Sequence, residues 1–285
     1  MNPSAIPGPL RCDLLGCIRA GASTPPTLSL SRTQALCERH DVSRGDLARA
    51  ALGLGIVPGR YLRNIGTIGL EGQLALLRSS VAIVGCGGLG GWVAEALARM
   101  GVGHLRLIDG DHCEENNLNR QLACSEETIG HPKADALAQR LASVNGDVAV
   151  EARVAWLEAP NARELLAGAD VAVDALDTLP ARYLLRDAAA AEGIPLVHGA
   201  IAGWTGQVMV TPPNRDGLRA WYGTVPPVER GIESEWGNPA PTPLLVAGWQ
   251  AAQVIMLLTG TGEPLNMRLL FSDMERGDVR HFDLS

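Results

Sequence analysis

The sequence predicts an α/β chain. Its core is a Rossmann-like, mostly parallel central sheet with flanking helices. C-terminal strands extend the sheet, and a small helical appendage precedes it. Three observations carry this expectation. Val81-Ala82-Ile83-Val84 is a short apolar run of the kind that forms a strand buried on both faces. Gly85-Cys86-Gly87-Gly88-Leu89-Gly90 comes next and fits G-x-G-x-x-G. Residues 92–100 then read as a helix, and 104–108 as a second strand ending at Asp109. The unit is strand, helix, strand, with glycines at the first turn. Such glycines let the backbone bend tightly and approach a phosphate or ribose, beside a helix N-terminus with free N–H groups. Asp109, 24 residues after Gly85, stands where an acid reaches ribose hydroxyls.

In chain order, residues 1 to about 30 are rich in Pro, Gly, Ser and Thr and predict a loose or extended arm. Residues 31–54 predict two short helices, the second capped by Ser43 with Asp46 at its third position. Two helices so spaced resemble a helix-turn-helix. The seven arginines against four acids in residues 1–60 support that only faintly, and a packing or partner-binding appendage is the safer reading. The domains are expected at 1–59 for this appendage and 60–285 for the larger α/β unit. Beyond residue 133, a helix is expected over 134–144, a strand near 148–154 and a short helix ending at 164–167. A buried strand over 170–174 delivers Asp174-Ala175-Leu176-Asp177 to its C-terminal end, where open parallel sheets bind ligands. A helix is expected over 182–191, then strands over 195–200 and 206–210. The Pro-rich stretch of about 212–243 reads as a long loop. An apolar core helix over 242–259 and strands at 269–271 and 279–282 close the chain.

Of the 285 residues 46% are hydrophobic, enough for a large core plus an extension. The net charge of −7 offers no global attraction to nucleic acid or an anionic membrane. The six cysteines, Cys12, Cys17, Cys37, Cys86, Cys113 and Cys124, lack CxxC spacing, so neither a zinc ribbon nor a disulfide framework is expected. No apolar run is expected to span a membrane and no signal-peptide pattern opens the chain, so a cytoplasmic protein is expected. Lys133 is the only lysine among 24 lysines and arginines. In a chain that uses arginine for nearly every positive charge, this points to a compact ammonium whose geometry a planar guanidinium cannot copy. Read as an exposed charge, it would not be needed for the fold.

The glycine turn alone fits a dinucleotide oxidoreductase. The motifs downstream of it do not. Asp109-Gly110-Asp111 leads to Asn116-Asn117-Leu118-Asn119-Arg120-Gln121 and then Gly130-His131-Pro132-Lys133. Hydride transfer needs no Arg and Lys there; handling a triphosphate does. In this order the motifs resemble the ThiF/MoeB/HesA family, bacterial relatives of ubiquitin-activating enzymes, from about Arg60 to the C-terminus.

The resemblance implies an ATP-dependent adenylyltransferase. Its substrate would be the C-terminal carboxylate of a small ubiquitin-like sulfur-carrier protein ending in Gly-Gly (ThiS/MoaD-type). The products would be an acyl-adenylate and pyrophosphate, with sulfur passing later to thiamin, molybdopterin or a related product. The resemblance also implies site roles. Gly85, Gly87, Gly88 and Gly90 approach the nucleotide, and Asp109 binds the ribose. Arg120 and Lys133 neutralise phosphates, Asn117 and Gln121 act as neutral donors, and Asp177 holds magnesium. Arg63, in Arg60-Tyr61-Leu62-Arg63-Asn64, reaches the phosphates of a neighbouring subunit, which implies a homodimer. Asn64 and Thr178 replace the family's usual Gln and Asn. Relatives carry a zinc-binding CxxC or a nucleophilic cysteine in the crossover loop; here no cysteine occurs beyond Cys124, so no zinc site is expected.

Each residue has a plainer reading beside this one. Asp177 could cap the next helix, Arg120 and Gln121 could tie down a loop, and Arg63 could be an exposed helix charge. Asp111 and Asp174 compete with Asp109 and Asp177. His198 reads as a satisfied core histidine, and Cys86, Cys113 and Cys124 as ordinary thiols. Three other functions stay open: adenylation of a peptide or modified tRNA, an NAD-dependent dehydrogenase, and a non-catalytic regulator on the same fold.

Overall fold

The computed structural model describes residues 6–18, 25–224 and 233–284. The N-terminal unit contains α1 (Gly8–Leu15), β1 (Thr27–Leu28), α2 (Leu30–His40), α3 (Arg44–Gly53) and β2 (Val57–Pro58). The expected loose arm is therefore in part a helix and a strand. Leu10 and Leu14, one turn apart on α1, are buried with Leu28, Leu36, Leu47 and Ile56. Pro9 sits in the first helical turn, where its missing N–H is harmless. Residues 1–5 and 19–24 of that arm lie outside the described residues.

The second helix of the pair is not free to lie in a groove. α3 buries Leu47, Ala48, Ala50, Ala51 and Leu52, and its arginines hold the rest of the chain. Arg44 pairs with Asp147 at 2.9 Å, and Arg49 donates to the Leu77 carbonyl at 3.0 Å. Tyr61 completes the joint, donating to Asp147 Oδ2 at 3.2 Å and accepting from Asn145 Nδ2 at 2.9 Å.

The larger unit alternates helix and strand: α4 (Ile65–Arg78), β3 (Ser80–Val84), α5 (Gly90–Met100), β4 (His104–Ile108), α6 (Lys133–Val144), β5 (Ala149–Arg153), α7 (Ala162–Leu166), β6 (Val171–Asp174), α8 (Leu179–Ala191), β7 (Leu196–Ala202) and β8 (Thr205–Thr211). It ends with α9 (Gly217–Tyr222), α10 (Glu233–Trp236), α11 (Pro241–Thr259), β9 (Arg268–Asp273) and β10 (Asp278–Asp283). The stretch expected as a loop over 212–243 thus holds two short helices; its residues 225–232 lie outside the described residues.

The eight strands form one sheet in the order β10-β9-β8-β7-β6-β3-β4-β5. β7, β6, β3, β4 and β5 are parallel, and β8, β9 and β10 run antiparallel. The period of two along each strand builds the two layers. Val81 and Ile83 face α4, α5, α6 and α11. Ala82 and Val84 face α7, α8 and α9. β3 has β4 on one side and β6 on the other, so the chain order reverses beside it, where open α/β sheets form their ligand crevice.

α11 has 19 residues and is apolar and long enough to cross a membrane by length and composition, contrary to the sequence expectation. It nonetheless lies on the sheet. Val246, Ala247, Ala251 and Val254 are in the core, and Gln250 Nε2 donates to the Asp174 carbonyl at 2.9 Å.

Candidate active site

A cleft of about 360 Å³ opens at the C-terminal ends of the parallel strands, within the size range of small-molecule sites. Its floor is the glycine turn between β3 and α5, and the four glycines divide by role. Gly85 has φ of 95°, and a Cβ there would lie 2.5 Å from the Ala175 carbonyl oxygen. A Cβ on Gly90 would lie 1.7 Å from the Gly85 carbonyl oxygen. Gly90 does not line the cleft; its place is close packing of helix on strand, not the nucleotide approach expected of it. Gly87 and Gly88 line the cleft, with no neighbour of an added Cβ nearer than 3.6 Å.

Asp109 lines the cleft just after β4. The Cys86 N–H donates to its Oδ2 at 2.7 Å, and the Asp111 N–H donates to its Oδ1 at 2.8 Å. Two backbone donors fix the carboxylate, and an ionised carboxylate keeps further acceptor sites for hydroxyls.

Lys133 opens α6 and is buried, at 6% exposure, which corrects its reading as an exposed charge. Its Nζ donates to Asp111 Oδ2 at 2.6 Å. Burial pulls the lysine pKa down, but the Asp111 bond and the charges of Asp109 and Asp111 outweigh it and leave the group above its ordinary value. Burial likewise raises Asp111, yet the Lys133 bond and charge hold its carboxyl below the usual range. Asp111 is thereby committed to Lys133, and it too lines the cleft.

Arg120 lines the cleft beside Gly88. Its Nη1 donates to the Asn116 carbonyl at 2.9 Å and to Asn119 Oδ1 at 2.7 Å. Gln121 lies against Gly87, buried, and its Oε1 accepts from the Cys124 thiol at 3.6 Å. Asn117 is not brought to the cleft wall. Its Oδ1 accepts from the Glu114 N–H at 3.1 Å and its Nδ2 donates to Asn116 Oδ1, so it closes the turn that presents Arg120.

The two aspartates after β6 differ in burial. Asp174 is fully buried, with its Oδ1 accepting from the Leu176 N–H at 3.0 Å and its Oδ2 2.7 Å from His198 Nδ1. Asp177 is exposed on the cleft wall, with no hydrogen bond or ion pair among the described residues, and Thr178 rather than Asp177 stands at the helix N-cap. An exposed, unpaired carboxylate on the cleft wall is the kind of hard oxygen ligand that fits magnesium, which commonly takes one or two carboxylates plus substrate phosphates. No group of three or more potential ligands is found among the described residues, so such an ion would rely on the nucleotide for further oxygens. Arg63 lies before α4, exposed, outside the cleft lining and without a partner among the described residues.

His198 is the core residue expected. Its Nε2 lies 3.1 Å from the Tyr222 hydroxyl, and burial pushes its pKa down despite Asp174. Burial also pushes Cys86 well up and Cys124 to about 12, the latter reinforced by neighbouring Cys113. Such thiols are poor nucleophiles.

The cleft has walls that sequence reasoning missed. Arg182, buried on α8, donates from Nε and Nη2 to the Leu176 carbonyl at 3.2 and 2.7 Å. With Asp177 and Ile201 it is shared with a second pocket of about 330 Å³ lined by Gln207, Tyr222 and Trp236. Trp156 and Asn238 also line the main cleft. No motif marks them; an aromatic residue soon after a parallel strand is the one signal that could have found Trp156.

The ThiF family pattern matches residues 61–285. The chain is 41% identical over 222 residues to the SAMP-activating enzyme E1 of Haloferax volcanii, covering 75% of this chain and 80% of that one. It is 39% identical over 230 residues to the sulfur carrier protein adenylyltransferase of Thermus thermophilus, covering 78% and 85%. It is 38% identical to the adenylyltransferase and sulfurtransferase MOCS3 of Arabidopsis thaliana, covering 84% of this chain and 54%, about half, of the plant protein. Among solved structures, E. coli MccB with ATP superposes with a TM-score of 0.69 at 21% identity, covering 97% of this chain and 87% of that one. PaaA superposes with a TM-score of 0.64 at 22% identity, covering 94% and 78%. At these identities the two structures speak to the fold alone.

Proposed function

The chain belongs to the ThiF family, and from that membership we propose that it is an ATP-dependent adenylyltransferase that activates the C-terminal carboxylate of a small ubiquitin-like sulfur carrier ending in Gly-Gly. The observation that carries the reading is the convergence of Asp109, Arg120, Gln121, Lys133 and Asp177 on one cleft at the switch point of the sheet. Relatives named for activating or adenylating such carriers support the substrate class.

The chemistry asks for little more than position. The attacking carboxylate is already ionised, so no general base is required. Its oxygen attacks the α-phosphorus of ATP, and the α–β bridging oxygen leaves with pyrophosphate. Charge on the leaving phosphates meets Lys133 and Arg120. Gly87 and Gly88 admit the phosphates to the backbone, and Asp109 holds the ribose. Asp177 would hold magnesium, which supplies further charge neutralisation when bound. The second pocket meets the cleft at Asp177 and Arg182, a suitable entry for an extended carboxyl tail.

The active form is proposed to be a homodimer acting in the cytoplasm, with Arg63 serving the partner's phosphates. Arg63, exposed and without a partner among the described residues, and the exposed apolar residues Leu244, Leu245 and Trp249 on α11 support a second copy. No cysteine occurs beyond Cys124, so activation is expected to stop at the acyl-adenylate. The product would feed sulfur incorporation of the thiamin or molybdopterin kind.

The test is ATP–pyrophosphate exchange with and without a Gly-Gly carrier and with and without magnesium, beside calorimetric titration with ATP and NADH. Carrier-dependent exchange that needs magnesium, with ATP binding and no comparable NADH binding, is expected. Tight NADH binding with no response to ATP would sink the assignment.

A further inference from the structure

The strands that end at the cleft stand in the order β5, β4, β3, β6, and each delivers different chemistry. β6 leads to Asp177 and β3 to Gly87 and Gly88. β4 leads to Asp109, and β5 leads to Ala155, Trp156 and Leu157. A nucleotide is linear: phosphates, ribose, base. With phosphates over the turn after β3 and ribose at Asp109 after β4, the base falls beyond β4, against the residues just past β5.

That wall is apolar, and Trp156 is the only aromatic residue among the described residues lining the cleft. The residue is 63% exposed, a large apolar surface left in water. It is also held in place. A Cβ on Gly110 would lie 2.7 Å from Cδ2 and Cε2 and 2.8 Å from Cδ1 of the indole. Three atoms of the five-membered ring at nearly equal distance mean that the ring lies face-on over Gly110. Any side chain at position 110 would push it away. The Trp156 carbonyl accepts from Asn161 Nδ2 at 2.9 Å, and Asn161 Oδ1 accepts from the Glu158 N–H at 2.9 Å, which ties the loop down. One indole face is thus spent on Gly110, and the remaining area faces cleft and solvent.

We propose that Trp156 is the base-stacking residue of the nucleotide site, set by Gly110 beside the ribose-binding Asp109 so that its free π-surface receives the adenine ring. The proposal rests on the ATP reading above and goes beyond it by assigning the base end of the cleft to a residue outside the four motifs. Stacking on an indole supplies affinity for the base without touching the phosphates.

The test is calorimetric titration of the full chain with ATP and, separately, with pyrophosphate, which carries phosphates but no base. The parent, Trp156→Ala and Trp156→Phe are compared, with exchange kinetics beside them. Trp156→Ala is expected to weaken ATP on the order of tenfold, while Trp156→Phe stays within about threefold of the parent. Pyrophosphate affinity should not move, and the kinetic loss should fall on KM for ATP with kcat kept. Parental ATP affinity in Trp156→Ala overturns the proposal. So does an equal loss of ATP and pyrophosphate, which would mark a collapsed loop. A parent that binds no ATP overturns the nucleotide reading itself, and the parent's titration alone decides that.

Discussion

Lys133 Nζ lies 2.6 Å from Asp111 Oδ2, with 8% of the lysine side chain and 46% of the aspartate exposed. The ammonium is stripped of water but not of counter-charge, and its partner remains half in solvent. The cation is thus held in place at the cleft wall, by a carboxylate whose other oxygen accepts from the His112 N–H at 3.0 Å.

Lys133→Arg and Lys133→Ala should lose pyrophosphate exchange by about 30- to 1000-fold, the effect of removing a specific charge contact worth roughly 2–4 kcal/mol in the transition state. Because the lysine is buried, Lys133→Ala should also melt lower, by about 1–2 kcal/mol of stability. That is less than for a fully buried pair, since Asp111 can hydrate. Parental exchange rates in both variants would make Lys133 a structural charge only.

The pair predicts a pH window for stability. Asp111 titrates below its ordinary 3.8 in the folded chain, so its contribution is complete above 3.8 and fades as pH falls through the folded value. Lys133 titrates above its ordinary 10.5, so its contribution is complete below 10.5 and fades as pH rises through the folded value. The difference in melting temperature between parent and Asp111→Asn should therefore be flat between these limits and shrink beyond either. A difference that varies steadily across neutral pH would contradict the pairing.

The glycines should separate fold from ligand. Gly90→Ala sets a methyl 1.7 Å from the Gly85 carbonyl oxygen and should destabilise by roughly 3 kcal/mol or more, seen as a collapse in melting temperature or soluble yield. Gly87→Ala, whose nearest neighbour is Gln121 Nε2 at 3.6 Å, should melt within about 1 kcal/mol of the parent yet bind ATP more weakly. Equal melting of the two variants would show that the turn relaxes freely.

Arg63 offers a test of the dimer. If it serves the partner's site, Arg63→Ala and Lys133→Ala are each inactive alone, but their heterodimer holds one intact site. An equimolar mixture allowed to exchange subunits should regain roughly one quarter of parental activity. Analytical ultracentrifugation should find a dimer. A monomer, or a mixture without recovery, would leave Arg63 as a surface charge.

The thiols should track burial. Under native conditions iodoacetamide should label exposed Cys12 first and spare Cys86, Cys113 and Cys124, read by peptide mass spectrometry. Elemental analysis should find no stoichiometric zinc, and no DTT-sensitive carrier adduct should accumulate. One zinc per chain, or such an adduct, would refute this.

The sequence by itself determined the strand, glycine turn and helix of residues 81–100 and set Asp109 and Asp177 just past strand ends. The motif order that resembles the ThiF/MoeB/HesA family implied Arg120, Gln121 and Lys133 for the same site, together with Asn117, which the structure keeps off the cleft wall. Those features are local. Each is a backbone requirement, a residue just past a strand end, or part of a short motif whose order carries the family resemblance, so linear order is enough to read them. Only the tertiary structure decided the rest. It brought Asp111 onto Lys133 across the end of β4 and the start of α6, and it buried Asp174 on His198 while leaving Asp177 open. It set Gly90 against Gly85 rather than against the cleft, and it laid the indole of Trp156 over Gly110. It also made a packed helix of residues 8–15, where composition suggested a loose arm. These outcomes depend on which strand lies beside which, an arrangement set by long-range burial that no single segment carries.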